Sequence, residues 1–182
     1  MWFSPIKGHY PSFGQVDKTL PVKTGVTDIE RGTVLVVEND TVNADGVFNV
    51  AADASKPGLL YIALQDYEDS QAGMAGTVPY DGADATLTGV TAGVPSITGL
   101  SLSQEGEYET DRFTGLDSAE IGAGLTVKNG MFTAAAADDA TVVAYLTGKP
   151  TVRWVNNAPA KKAGNAVVRQ GANVSVIRFA TK

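Results

Sequence analysis

The sequence predicts an all-β fold: a β-barrel or β-sandwich body with an extended N-terminal arm and a docked basic C-terminal segment. Three observations carry this. Short β-branched and apolar runs recur between turn signals, as in Thr33-Val34-Leu35-Val36-Val37 and Leu59-Leu60-Tyr61-Ile62-Ala63-Leu64. No segment holds the 3.6-residue apolar period of a long amphipathic helix. Finally, 20 Gly and 8 Pro punctuate 182 residues that are 43% hydrophobic and 19% charged, a turn-rich chain apolar enough to build a core.

Residues 1–25 read as the arm. Trp2, Phe3, Tyr10 and Phe13 alternate with Pro5, Gly8, Pro11, Gly14 and Pro21, and neither strand nor helix period survives. Four rings are too much apolar area to leave in water. The arm is therefore expected to lie on a surface, either its own body or another subunit, with these four aromatics as candidate partner anchors. Removal of residues 1–22 is expected to leave a folded body.

The body is expected to span 26–150. Its strands carry nearly continuous apolar runs, as burial on both faces requires. Asp45-Gly46 leads into Val47-Phe48, and Asn129-Gly130 into Met131-Phe132, with alanines following in both. Gly supplies the positive φ of a tight hairpin and Phe a core anchor, so Phe48 and Phe132 are expected in equivalent buried places. The third strands of the two copies align loosely, Leu60 to Leu64 against Val142 to Leu146. Two related hairpin units closing one barrel would produce this pattern, as would chance similarity in a chain rich in Gly, Ala and Val.

Between the copies, residues 75–99 hold few large side chains and read as a flexible insertion or short Gly/Thr strands. Glu105, Glu107, Glu109 and Asp111 alternate along a strand and share one face. Neighbours on that face lie about 7 Å apart, too far for several to converge on one cation such as calcium without a bend, so a face turned to solvent or a basic partner is favoured over a cation site. Residues 134–140 have helical propensity for a turn or two at most.

Residues 151–182 form the basic segment. All 20 acidic side chains and 7 basic ones lie in residues 1–139; residues 140–182 hold 7 basic and none acidic. The final strand, Asn173 to Phe179, has apolar residues on both faces and is expected to be docked. Arg153, Arg169 and Arg178 are the candidate pairing residues, because guanidinium binds carboxylate bidentately. Their counterpart is either an acidic surface on a neighbouring subunit or the chain's own acidic body.

Most chemistry is excluded. The chain has no cysteine, which removes disulfides, thiol nucleophiles and thiolate metal sites. His9 is alone on the arm and cannot be held as a catalytic base needs. There is no phosphate-binding loop, and Gly122-Ala123-Gly124 reads as a bend before a strand. Trp154 between Arg153 and Val155 is too little for a base-stacking platform, so no specific nucleic acid is expected. No apolar run reaches 18 residues, and Met1-Trp2-Phe3-Ser4-Pro5 lacks the features of a secretory leader. The expectation is a protein without cofactor or metal, not an enzyme, made in cytoplasm and bound to no membrane.

The hairpins at Gly46-Val47-Phe48 and Gly130-Met131-Phe132, the Gly/Thr/Ala-rich linkers and the aromatic arm resemble tailed-phage capsid decoration or cement proteins. No motif carries over residue by residue. The resemblance implies a body seated on an icosahedral shell in the virion, partnered by the major capsid protein and other copies of itself, with arms bridging capsid subunits. The alternative is a phage tail or surface β module that binds carbohydrate or a receptor, for which Tyr80 beside Asp81 is a plausible stacking spot.

Overall fold

The computed structural model describes residues 3–7, 17–68, 96–103, 105–136, 140–155, 161–163, 166–168 and 172–181. These are nearly all β. Five antiparallel strands lie in the order β2 (Asp17–Pro21), β8 (Ser96–Ser101), β6 (Leu60–Ala63), β4 (Val34–Glu38) and β5 (Val47–Val50). Val22, just past β2, pairs in parallel with Phe48 of β5, and Lys23 N donates to Phe48 O at 2.8 Å. The two ends of the sheet therefore meet, closing a small barrel.

A second barrel repeats the scheme. Its order is β9 (Glu107–Thr110), β15 (Ala172–Thr181), β12 (Ala144–Val155), β10 (Gly124–Lys128) and β11 (Met131–Ala134), with β1 (Phe3–Lys7) added outside β9. Here Phe113 pairs in parallel with Phe132, and Thr114 N donates to Phe132 O at 2.9 Å. The backbone contacts correspond one for one. Gly32 N bonds Ala63 O at 2.8 Å and Gly122 N bonds Leu146 O at 2.7 Å; Ala51 N bonds Val34 O at 3.0 Å and Ala135 N bonds Gly124 O at 2.8 Å. The duplicated hairpins are thus parts of two five-stranded barrels, where one shared barrel was expected.

The register fixes which residues are equivalent. Leu35 faces Tyr61 and Leu125 faces Ala144, so Leu60 corresponds to Val143, one residue from the expected alignment with Val142. The mismatch arose from matching Tyr61 to Val143 and Leu64 to Leu146 by type, while strand pairing counts from the bend glycines Gly32 and Gly122. The first hairpin also differs: residues 39–46 form its loop, and only Asn129-Gly130 is a two-residue turn.

Phe48 and Phe132 are equivalent and both fully buried. Around them, bulk is exchanged between strands. In the first barrel Tyr61 stacks edge-on to Phe48 at 5.2 Å, and Gly99 leaves the space. In the second barrel the Tyr61 position is Ala144 and the Gly99 position is Phe179, whose ring lies 4.5 Å from that of Phe132. One ring fills the slot in each barrel, supplied by a different strand.

The first barrel's strands are buried on both faces. Leu35, Phe48, Tyr61, Ala63 and Ile97 fill its interior with Leu20 and Val22, and Ile29 and Tyr67 close it from the short ribbon of β3 (Asp28–Ile29) and β7 (Tyr67–Glu68). Alternate residues Val34, Leu60, Ile62 and Leu100 instead join Leu125, Phe132, Leu146, Ile177 and Phe179 in a second cluster that spans both barrels. This accounts for the continuous apolar runs. The β10–β11 turn seals the joint: Val34 N bonds Gly130 O at 2.8 Å and Gly130 N bonds Ala51 O at 2.7 Å. Gly130 has φ 74°, and a Cβ there would sit 2.8 Å from Thr33 Cγ2 and Val50 Cγ1, so both conformation and space demand glycine.

Both expected domain boundaries fall where the barrels draw on residues beyond them. β2 lies before residue 25 yet forms a wall of the first barrel, and β12 runs unbroken across 150–151. Prolines concealed the N-terminal strands: Pro5 and Pro21 sit in strands at the ends of their sheets, where a missing N–H need not break a ladder. Residues 96–99, expected within the insertion, belong to β8, with Ile97 inside the first barrel. The rest of the expected insertion, 75–95, lies outside the described residues.

Candidate interaction surface

The alternation of the acidic strand is observed for Glu107 and Glu109; Glu105 and Asp111, expected on the same face, lie outside β9. Tyr108 and Thr110 of β9 are buried, and Tyr108 lies 5.6 Å from the Phe179 ring inside the second barrel. Residues 107 and 109 therefore face outward. What they meet is the chain's own basic end. β15 pairs with β9, placing Arg178 opposite Glu109, and Arg178 Nε donates to Glu109 Oε1 at 2.8 Å. Arg153 Nη2, from β12, donates to the same oxygen at 2.6 Å. The Glu109 side chain is 5% exposed and its two arginines 42% and 43%. Thr147 Oγ1 bonds Glu107 Oε1 at 2.8 Å on the same face.

On the other side of β9 lies β1, with Phe3 opposite Thr110 and Ser4 opposite Glu109. Arm, acidic strand and basic segment, read separately in the sequence, thus converge on one outer face of the second barrel. Arg153 and Arg178, expected as partner contacts, are paired within the chain. Antiparallel pairing of β15 with β9 sets cation against carboxylate at no extra cost in chain entropy, which favours the internal pair. Phe3 has its backbone in β1; Trp2, Tyr10, Phe13, Arg169, His9 and Tyr80 lie outside the described residues.

A second ionic cluster joins the barrels. Arg112, just after β9, pairs with Glu30, which precedes β4, and its Nε lies 3.7 Å from Asp111 Oδ1. Burial lowers the Arg112 pKa, opposed by Asp28 nearby, but a guanidinium stays charged. The equivalent of Glu30 in the second barrel, Glu120, bonds Lys149 at 2.9 Å in an exposed pair.

One end of the first barrel sets Glu38, Asp40 and Asp45 beside lysines, with Lys18 Nζ donating to Asp45 O at 3.1 Å. Lys23 Nζ donates to Glu38 Oε2 at 2.6 Å, Asn49 Nδ2 donates to Glu38 Oε1 at 3.0 Å, and these bonds hold the Glu38 carboxyl below its ordinary range. Asp40 accepts from Asn43 N at 2.9 Å and Asn43 Nδ2 at 2.6 Å, which lower its pKa and tighten the 39–46 loop. That loop lifts Val42 into water, 85% exposed between Asp40 and Asp45. Sequence reading missed it, although a valine inside an Asn/Asp-rich turn was the available signal.

β12 and β15 also run past the second barrel as a two-stranded ribbon. Bulges around Thr147 and Lys149-Pro150 bend β12, and beyond them Thr151–Val155 pairs with Ala172–Val176 alone among the described residues. The hairpin of β13 (Lys161–Ala163) and β14 (Ala166–Val168) lies farther along the same connection. Val152 on the ribbon is 69% exposed, on the face shared by Asn173 and Ser175, which are also exposed.

A depression of 180 Å³ lined by Pro57, Gly58, Leu102, Ser103, Val142 and Val143 contains no titratable side chain. Among the described residues no three His, Cys, Asp or Glu side chains are grouped to hold a metal, and no helix is long and apolar enough to cross a membrane. No protein family, characterised protein or solved structure matches the chain.

Proposed function

We propose that the chain is a structural cement or decoration protein of a tailed-phage capsid, bound outside the assembled shell and stabilising joints between capsid subunits. The observation that carries this reading is that strands extend outside the closed barrels. β1 is added outside a closed barrel, and the β12–β15 ribbon over 151–155 and 172–176, within the chain's last connection, continues beyond the barrel that anchors it. A double barrel with strands extended outside it suits a part that adds contacts between neighbours. Such a part stabilises a shell by mass action, because its binding energy is realised only in the assembled state. The partners are the major capsid protein and further copies of the chain, and the place of action is the virion surface.

The test is stoichiometry on particles. Particles of the encoding phage are purified and copies of the chain per particle counted by quantitative mass spectrometry; stripped shells are then challenged by heat with and without added chain. Occupancy of the order of the capsid protein and a raised disruption temperature are expected. A few copies per particle would move the assignment to a tail module, and no effect on shell stability would end the cement reading.

A further inference from the structure

A two-stranded ribbon is marginally stable without something to pack against. Where the β12–β15 ribbon departs from the second barrel, bulges at Thr147 and Lys149-Pro150 interrupt its ladder, and Thr151–Val176 is the first pair beyond them. Val176 is buried at this base. Past it, the described side chains Val152, Arg153, Asn173, Val174 and Ser175 are all exposed or half-buried. Core packing therefore ends where the ribbon begins.

One side chain past the base reaches back. Arg153 Nη2 donates to Glu109 Oε1 on β9 at 2.6 Å, and the Glu109 side chain is 5% exposed. Arg178 Nε, inside the span of the barrel, donates to the same oxygen at 2.8 Å and so aims the carboxylate. Its stem crosses Gly148 in the bulge, where a Cβ would lie 3.1 Å from Arg178 Cβ.

The first barrel is a control within the same chain. Gly99 and Phe179 hold one position, so Thr98 is the equivalent of Arg178 and Thr19 the equivalent of Glu109. The two threonine hydroxyls share a neutral hydrogen bond at 2.9 Å, and no ribbon extends from β6 and β8 among the described residues. A barrel of this kind thus closes around a neutral pair, and the ions accompany the ribbon. A buried carboxylate between cations is weak evidence for stability, which a neutral pair supplies as well, and its best use is to specify one geometry.

We infer that Glu109 is the brace of the ribbon: by fastening Arg153 to the second barrel it fixes the direction of an arm that otherwise swings about Thr151 and Val176. A fixed arm meets its partner without the cost of being ordered on contact. The brace does not depend on the capsid assignment, because it is read on the isolated chain in solution.

Double electron–electron resonance on the full chain is the experiment. The chain has no cysteine, so Ile121→Cys on the second barrel and Asn173→Cys on the ribbon, both exposed, create two defined spin-label sites. Asn173 stands past Val176 by about 10 Å at the rise of a strand, so a swing of roughly 30° moves its label by about 5 Å. The labelled parent should give one narrow distance distribution. Arg153→Ala should broaden it by that amount, since it removes the ribbon's end of the brace and leaves the Arg178–Glu109 pair in place. Glu109→Thr with Arg178→Thr installs the threonine pair of the first barrel; it should keep the parent's urea midpoint and broaden the distribution equally. A broad distribution in the parent, or a narrow one in Arg153→Ala, would overturn the inference. So would failure of the double variant to fold, which would make the ions part of the barrel's own framework.

Discussion

Exchanging the ring between strands in the first barrel tests whether the two barrels share one packing plan. Tyr61→Ala removes a ring that is 7% exposed and stacked on Phe48, a loss of about 3–5 kcal/mol for a truncated buried aromatic. Gly99→Phe alone forces a ring into occupied space. Even a single Cβ at 99 would lie 2.9 Å from both Phe48 Cζ and Tyr61 Cβ, and overpacking of this kind costs about 1–3 kcal/mol or more. Independent effects would therefore sum to about 6 kcal/mol, a large share of the ~5–15 kcal/mol that stabilises a domain. The double variant instead installs the arrangement of the second barrel, where Ala144 and Phe179 hold these positions. Its loss is expected to be about 2 kcal/mol, a coupling near 4 kcal/mol in favour of the pair. Urea denaturation of the four proteins, with m-values compared to confirm a common transition, measures this. If Gly99→Phe does not fold alone, recovery of folding on adding Tyr61→Ala is the same result. Additive losses would refute the equivalence of the two cores.

Other consequences are more direct. Gly130→Ala should destabilise by about 1–3 kcal/mol, since φ 74° and the 2.8 Å approaches to Thr33 and Val50 both oppose a Cβ; a urea midpoint equal to the parent's would count against the sealed joint. Deleting residues 1–16 should leave the first barrel closed, while deleting 1–22 should open it, because Leu20 and Val22 are core residues; near-ultraviolet circular dichroism separates the outcomes. Glu109→Gln should cost about 1–3 kcal/mol, discounted because both arginines are over two-fifths exposed, and Arg153→Ala should then cost less than in the parent. Stability should fall on acidification: Glu38 and Asp40 have folded-state pKa values below their ordinary 4.5 and 3.8, so the unfolded chain binds more protons as pH drops through that region. Lys23→Met removes the main cause at Glu38 and should flatten urea midpoints between about pH 5 and 3.

Fold class, the Asn129-Gly130 turn, the duplicated hairpin and the buried phenylalanines were legible because they rest on local chemistry. A strand's alternation, a glycine's φ and the spacing from turn to ring are all set within a few residues. The charge division was equally plain, and with it the two destinations open to the basic end. Closure into two barrels was not legible, because it rests on Val22 meeting Phe48 and Phe113 meeting Phe132, across 26 and 19 residues of chain. Composition does not encode such pairings. Nor was the exchange of Tyr61 and Gly99 for Ala144 and Phe179 legible, since a core constrains the sum of volumes at a site and leaves open which strand supplies them. The sequence by itself determined a β chain with an acidic body, a basic end and residues that must be buried. Tertiary structure alone decided that Arg153 and Arg178 turn inward to Glu109 while Val42 and Val152 stay in water. The side chains compete for the same partners, and only the register of β15 on β9 settles which pairs can form.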